Sequence, residues 1–522
     1  MKKVKKYIIE FKLYLLPTVV VCLYFFKKSL TFNLHDFGNS YFPALMILEG
    51  ENPAQTVFDI FQFNQYAWAK GYKDVLLDYY LNSPLCSTFV LPFTVLENAY
   101  IAKAVFNGIS IILLVFALEI LAKNLQAKKL ILSFPLLFFI PIQNNILFGQ
   151  FYFIIFTFTV FAYYFHSKNQ QNLASVFIVI ATFLKVFPLF FAIPLLKKVK
   201  YKILIFAVIC FGISVLFNGF SFWETYLFKF FPQSMLNDTS VGFQVNAQSL
   251  DVFLKHLFIA DSFHNPYPFI DNPTLFLVAL WFSKSLILGI AIKHFNGTKS
   301  NPWEALSGVI AALFLLQTRT PTYSLIFWLI PLVFYVNTSK SNIYKLIFTV
   351  LIVIRANFSN VFFENTSVIL QFIPLIISIL LGLMFFQDFI RFDIYKELAI
   401  AAIILNPILI KSFAKEDISQ YVLPNKGQFI TYDFEVKSSK IIAYSLGKKG
   451  KEQIEVRINA TLIDTLSCRV IDNHIFYKNK KIDLPSSTKK KAILVNQKDI
   501  YFLTDHRSRV GWLNLKKVSI RQ

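Results

Sequence analysis

Apolar residues come in long blocks along this chain, and short loops rich in Lys and Arg separate them. Many blocks approach the roughly 20 residues that cross a hydrocarbon core about 30 Å thick. The pattern predicts an all-α polytopic membrane protein. The first block, about 10–27, lacks a small-residue cleavage site and is followed by "FFKKSL", so it reads as a retained first span rather than a signal peptide.

Placing the Lys/Arg-rich loops in the cytoplasm gives a topology. The first span leads outward to a long outer loop, 28–98, whose segment 83–98 also reads as a short span. A span at about 99–122 returns, and a hairpin at 129–147 and 151–166 turns outside at "LFGQFY". Next, "LASVFIVIATFLKVFPLFFAIPLL" has polar loops of the same side at both ends. It reads as two half-helices meeting at Lys185 to Pro188; a broken helix is tolerated in a bilayer where protein or a polar cavity surrounds it. A span at 202–218 leads to a second outer loop, 219–272. Further spans follow near 273–293, 303–317, 323–337, 343–357, 366–386 and 396–411, about 11–13 in all with the broken or re-entrant ones.

After about residue 415 the pattern changes. "GQFITYDFEVKSSKIIAYSL", "EQIEVRINATLIDTLSCRVI" and "KAILVNQKDIYFLTD" alternate or form short β-branched runs between turn residues, which is strand patterning. The expected division is therefore a membrane domain over 1–414 and a small all-β domain over 415–522, with the N-terminus cytoplasmic and the β domain outside.

Composition agrees: 56% of the 522 residues are hydrophobic, 61 are Phe, and only 16% are charged. The net charge of +22 sits mostly in short loops, where it orients spans and meets anionic lipid rather than nucleic acid. The four cysteines have no metal-ligand spacing, and the seven histidines form no HExxH pair. A phosphate-binding GxxxxGK[ST] loop, a GxGxxG fingerprint and a DxD pair are all lacking, so neither a soluble nucleotide, a metal nor another cofactor is implied.

A few polar residues stand out from this background. Asp36 lies just past the first span and is followed by Tyr41, Phe42 and an apolar stretch that suits an interfacial helix. A carboxylate there is either a solvated surface charge or a general base, if it reaches the proton it must remove. Lys185 admits two readings as well, a lysine snorkelling to an interface or a cation holding an anionic group in a polar cavity. Arg319, beside a Pro turn, is a plain loop arginine or a phosphate ligand. Gln150 follows Gly149 between two apolar runs, and Asn246 and Gln248 offer neutral hydrogen-bonding groups of the kind that read sugar hydroxyls.

Taken in order, "HDFGNSYFPALMILEGENP", "NSPLCSTFVLPFTVLENAYIAKAVFN", "NNILFGQFYFIIFTF", "ASVFIVIATFLKVFPLFFAIPLL", "NAQSLDVFLKHLF" and "TPTYSLIFWLIPLV" resemble the GT-C glycosyltransferases, most closely glycosyltransferase family 87, the polyprenyl-phosphate-mannose-dependent α-mannosyltransferase-like enzymes. The resemblance covers about residues 10–340. It implies transfer of a hexose, mannose first among them, from a polyprenyl-phosphate donor to a lipid or glycan acceptor on the outer face. It matches Asp36 to the catalytic carboxylate and Lys185 to a lysine of a K-x-x-P element that meets the donor phosphate, with Arg319 a second candidate. Tyr41, Asn82, Gln150, Asn246 and Gln248 are then the expected substrate contacts. Two elements depart from the family's pattern: Asn82 to Pro84 stands where an aromatic-Pro-Pro is usual, and "TPTYSLI" replaces an SPxSWxH-type region. The competing expectation is a transporter or flippase of a lipid-linked sugar, which also uses broken helices and buried lysines.

Overall fold

The structure, a computed structural model, describes residues 2–409 apart from 74, 78–79, 126–128, 232–244, 261–264, 266, 299–300, 359–365 and 390–393. Beyond these it describes the ten strands between 420 and 519. The chain divides into two compact units, one of residues 1–50, 82–220 and 243–411, the other of residues 51–81, 221–242 and 412–522.

The first unit is helical. Its elements begin with α1 (Lys2–Ser29) and α2 (His35–Leu48), while α3 (Ile60–Ala69) belongs to the other unit. The chain returns with α4 (Pro84–Thr94), α5 (Ala99–Asn124), α6 (Phe139–Phe148), α7 (Tyr152–Ser167), α8 (Gln171–Leu184), the short α9 (Leu189–Ala192) and α10 (Leu196–Asn218). Later helices include Leu250–Phe258, Pro273–Gly297, Pro302–Leu316, Leu329–Thr338, Asn342–Asn357 and Ile373–Phe386.

Local sequence explains where several of these start. Asn98, Asn272 and Asn301 each accept hydrogen bonds from the first-turn N–H groups of α5, Pro273–Gly297 and Pro302–Leu316. Two of those helices open on proline, whose missing N–H costs nothing in the first turn.

Three helices, Ala99–Asn124, Lys198–Asn218 and Pro273–Gly297, are long and apolar enough to cross a membrane unaided. A fourth span arises if the bent pair α6 and α7 counts as one; the two meet at 113°. Five shorter apolar helices accompany them among the described residues. These three or four spans and five shorter helices stand against the roughly 11–13 spans expected, and several of the expected apolar runs are broken. Gly149 divides α6 from α7, Lys185 to Pro188 end α8, and a 3₁₀ stretch, Thr322–Trp328, precedes Leu329–Thr338. The basic "KKVKYK" lies inside α10 and not in a loop before it. Apolar helices of this kind mark a multi-pass membrane protein.

Helix α2 differs from the expected interfacial helix. Phe37, Tyr41, Phe42, Ala44 and Met46 are all fully buried, so it packs inside its unit on most of its circumference.

In the second unit, Asn52 Nδ2 donates to Ser221 Oγ at 3.0 Å, and the rings of Phe58, Tyr80 and Phe222 contact one another at 5.4–5.9 Å. Its strands are β1 (Gln420–Tyr421), β2 (Ile430–Lys437), β3 (Lys440–Gly447), β4 (Gly450–Arg457), β5 (Thr465–Ile471), β6 (His474–Tyr477), β7 (Lys480–Asp483), β8 (Thr488–Val495), β9 (Asp499–Thr504) and β10 (Asn514–Ser519). They form an antiparallel seven-stranded sheet in the order β1-β10-β9-β8-β5-β6-β7, and β2-β3-β4 form a second sheet. Phe434, Ile441 and Ala443 of the small sheet share a buried core with Val495, Tyr501, Leu503 and Leu515 of the large one. Alternation along β2, β3, β4, β8 and β9 delivers one face to that core.

Candidate functional site

Asp36 stands in the first turn of α2, where the unpaired N–H groups and the helix dipole favour a carboxylate. No side chain caps that end; Leu34 occupies the cap position. Ser40, four residues on, lies on the same helix face.

Gln150 reaches Asp36 from the turn after α6. Gly149 ends α6 in the left-handed conformation, at φ 65°, and the Gln150 N–H closes on Asn145 O at 2.9 Å. Glycine is required twice over. Its φ is costly for other residues, and a Cβ there would come within 2.6 Å of the Phe37 Cβ. This tight turn aims the Gln150 amide, whose Nε2 donates to Asp36 Oδ2.

Lys185 follows the last turn of α8 with extended backbone, φ −146° and ψ 141°, and Pro188 starts α9 three residues later. The lysine Nζ donates to Asn82 Oδ1, and Asn82 Nδ2 donates to Ser40 Oγ at 3.1 Å. A polar chain thus runs from Lys185 through Asn82 to the helix that carries Asp36. The neighbours of Asn82 fix it in place: Ser83 Oγ donates to Phe183 O, and Cys86 Sγ to Leu184 O at 3.1 Å. The Lys185 ammonium also lies 5.8 Å from the centre of the Tyr152 ring, which in turn meets Tyr323 at 4.8 Å.

Lys185 lies within Coulombic reach of both Asp36 and Arg319, and Lys103 within reach of Asp36. Two lysines thus act on one carboxylate, and Arg319 acts on one of those lysines, a surplus of positive charge that suits an anionic group. Arg319 is half-buried. Its segment is held by Thr320 N–H donating to Ala247 O at 2.8 Å and by Asn144 Nδ2 donating to Thr322 Oγ1 at 2.6 Å.

Asp36, Gln150, Asn82 and Lys185 therefore come together, with Arg319 close enough to act on Lys185. The other expected contacts are placed differently. Tyr41 is wholly buried, against Phe37 and Phe42 at 6.0 and 5.5 Å. Gln248 has its amide committed to backbone, donating to Val245 O and Gln371 O and accepting from Leu375 N. Asn246 belongs to the turn Val245–Ala247, and its side chain lies outside the described residues.

Three members escaped the sequence reading. Ser40 and Tyr152 carry no signal apart from their spacing to Asp36 and Gln150. Lys103 did carry one, as the lone charge in the run "AYIAKAVFNGISIILLVFAL". It is buried, and its Nζ donates to Asn33 O at 2.7 Å and to Leu147 O at 2.5 Å.

Fold and site together define a multi-pass membrane protein in which a half-buried carboxylate, two buried amides, Lys185 and Lys103 gather beside a broken helix, with the half-buried Arg319 near Lys185. Residues 80–318 match the family model of glycosyltransferase family 87, and the match indicates a glycosyltransferase. That stretch contains Asn82, Lys103, Gln150, Lys185, Asn246 and Gln248; Asp36 and Tyr41 precede it and Arg319 follows by one residue. No curated protein matches the chain.

Proposed function

We propose that this protein transfers a hexose, mannose in the first instance, from a polyprenyl-phosphate donor to a glycolipid or glycan acceptor on the outer face of the cell's inner or plasma membrane. Asp36 is the general base. It takes the proton of the acceptor hydroxyl as that oxygen bonds to the anomeric carbon, and the bond from the carbon to the phosphate oxygen breaks. Attack from the face opposite the phosphate inverts the anomeric centre. Polyprenyl phosphate leaves with the bonding electron pair, and fixed cations aimed at its oxygens stabilise the charge. Lys185 is the first of these and Arg319 the second, so the reading calls for no metal or other cofactor. Asn82 and Gln150 hold Lys185 and Asp36 in register for the two ends of the reacting bond.

The observation that carries this reading is the polar chain Lys185–Asn82–Ser40 ending on the helix of Asp36. It ties Lys185 to the helix of Asp36 within one compact unit, which supports reading the pair as phosphate-binding cation and base. The glycosyltransferase family 87 match supports the class of reaction. The N-terminus is cytoplasmic and the strand-rich C-terminal segment extracytoplasmic in this reading.

The test uses full-length protein in liposomes with a radiolabelled polyprenyl-phosphate hexose and a lipid extract of cell envelopes as acceptor. Label should move to acceptor with inverted configuration. Movement of intact donor between leaflets without new glycosidic bonds would instead establish a transporter.

A further inference from the structure

Lys103 takes no part in the transfer chemistry above, yet its position is unusual. It lies on α5, inside an apolar helix, with 1% of its surface exposed. A cation so placed is costly unless its donors are satisfied. Here they meet two backbone carbonyls from distant parts of the chain. Asn33 O lies three residues before Asp36, and Leu147 O lies three residues before Gln150.

The second contact falls on the last turn of α6, whose carbonyls lack partners within the helix. Neighbouring groups take up two more carbonyls of that turn. Asn145 O accepts from the Gln150 N–H at 2.9 Å, and Ile146 O from Asn107 Nδ2 at 2.8 Å. Asn107 lies one turn beyond Lys103 on the same face of α5, and it also donates to Ser29 Oγ at the end of α1. The pair on α5 therefore ties the segment that enters α2 to the helix end that leads into the Gly149 turn. A positive charge at a helix C-terminus also complements the helix dipole.

From this geometry we infer that Lys103 is the positioning residue of the site. It clasps the backbone segments that carry Asp36 and Gln150, so that the carboxylate and the amide meet before any substrate arrives. The inference rests on the proposed role of Asp36 for its catalytic consequence, but not for its structural one.

The experiment separates the two. Asp36→Cys and Gln150→Cys are introduced together, in a background where Cys22, Cys86, Cys210 and Cys468 are replaced by alanine or serine, and cross-linking is measured in membranes with a short bifunctional thiol reagent. With Lys103 in place the pair cross-links readily. In Lys103→Met the yield should fall severalfold, and Lys103→Arg, which retains charge and donors, should restore it. An unchanged yield in Lys103→Met overturns the inference, whether or not the protein transfers sugar. In parallel, Lys103→Met in the unaltered sequence should lower kcat on the order of 100-fold while donor KM changes little, the signature of lost orientation. Should Lys103→Met not reach the membrane folded, Lys103→Gln replaces it. If neither folds while Lys103→Arg does, lysine serves stability rather than positioning and the inference fails. Absence of transfer in the unaltered protein, with the cross-linking result as expected, rejects the proposed reaction alone.

Discussion

Single residues set the geometry of this site, and Gly149 is the most exposed to test. Its positive φ would cost another residue about 1–3 kcal/mol, and a Cβ would press on Phe37, the neighbour of Asp36. Gly149→Ala should therefore lower thermal stability by about that amount and reduce transfer on the order of 100-fold, because the base moves with Phe37. A variant that melts lower but transfers normally would detach the turn from the base. At this scale the sequence was partly legible. Asp36, Gln150 and Lys185 stand out as polar residues at the edges of apolar runs, and Pro188 announces the break beside Lys185. Ser40 was not legible as a site residue and Lys103 only as a lone charge in an apolar run, since their partners lie 42 and 70 positions away and only folding brings them near. Tyr41 and Gln248, expected as substrate contacts, are placed otherwise than a tyrosine beside an acid and a glutamine in a polar loop suggest, the one buried among aromatic rings and the other bonded to backbone.

Elements are held together inside the helical unit by a few buried polar links. The clearest joins Leu250–Phe258 to Pro273–Gly297 through Asp251 Oδ2 and Lys284 Nζ, 2.7 Å apart, with side-chain exposures of 14% and 8%. Removing one partner leaves an uncompensated buried charge, so Lys284→Met or Asp251→Leu alone should cost about 3–5 kcal/mol. The double replacement should recover much of that loss, because two apolar side chains leave no charge behind. Thermal melting of the four proteins in detergent measures the cycle, and additive losses would mean the pair is not coupled in this way. Helix boundaries followed sequence signals closely where Asn-Pro starts a helix, as at Asn272 and Asn301. Span lengths did not, since apolar composition does not reveal a 3₁₀ turn or a glycine bend inside a greasy run.

At the scale of the whole molecule, the strand alternation after residue 415 signalled an antiparallel β region correctly. What it did not signal is that residues 51–81 and 221–242 group with those strands in one compact unit. Helical segments between apolar spans read as membrane-domain loops, and nothing in their composition tells otherwise. Within the β core, burial pushes the Tyr501 phenol above its ordinary value, with the Asp499 charge acting in the same direction. A raised folded-state value means a contribution that is complete below the unfolded value, near pH 10, and is lost as pH climbs through the folded one. The strand infrared band should thus melt at a steady temperature from neutral pH to about 9 and lower above about 10. Tyr501→Phe should show a shallower decline; an equal decline would assign the effect to other groups.

The central claim is a division of labour, with Asp36 taking the acceptor's proton and Lys185 holding the donor's phosphate. It is tested most directly by measuring donor binding and sugar transfer side by side in Asp36→Asn and Lys185→Met, reconstituted in liposomes. Asp36→Asn should bind polyprenyl-phosphate hexose about as well as the parent while transfer falls on the order of 1,000-fold, as expected for a lost base. Lys185→Met should weaken donor binding itself. Transfer that survives in Asp36→Asn, or donor binding that is indifferent to Lys185, would contradict the account.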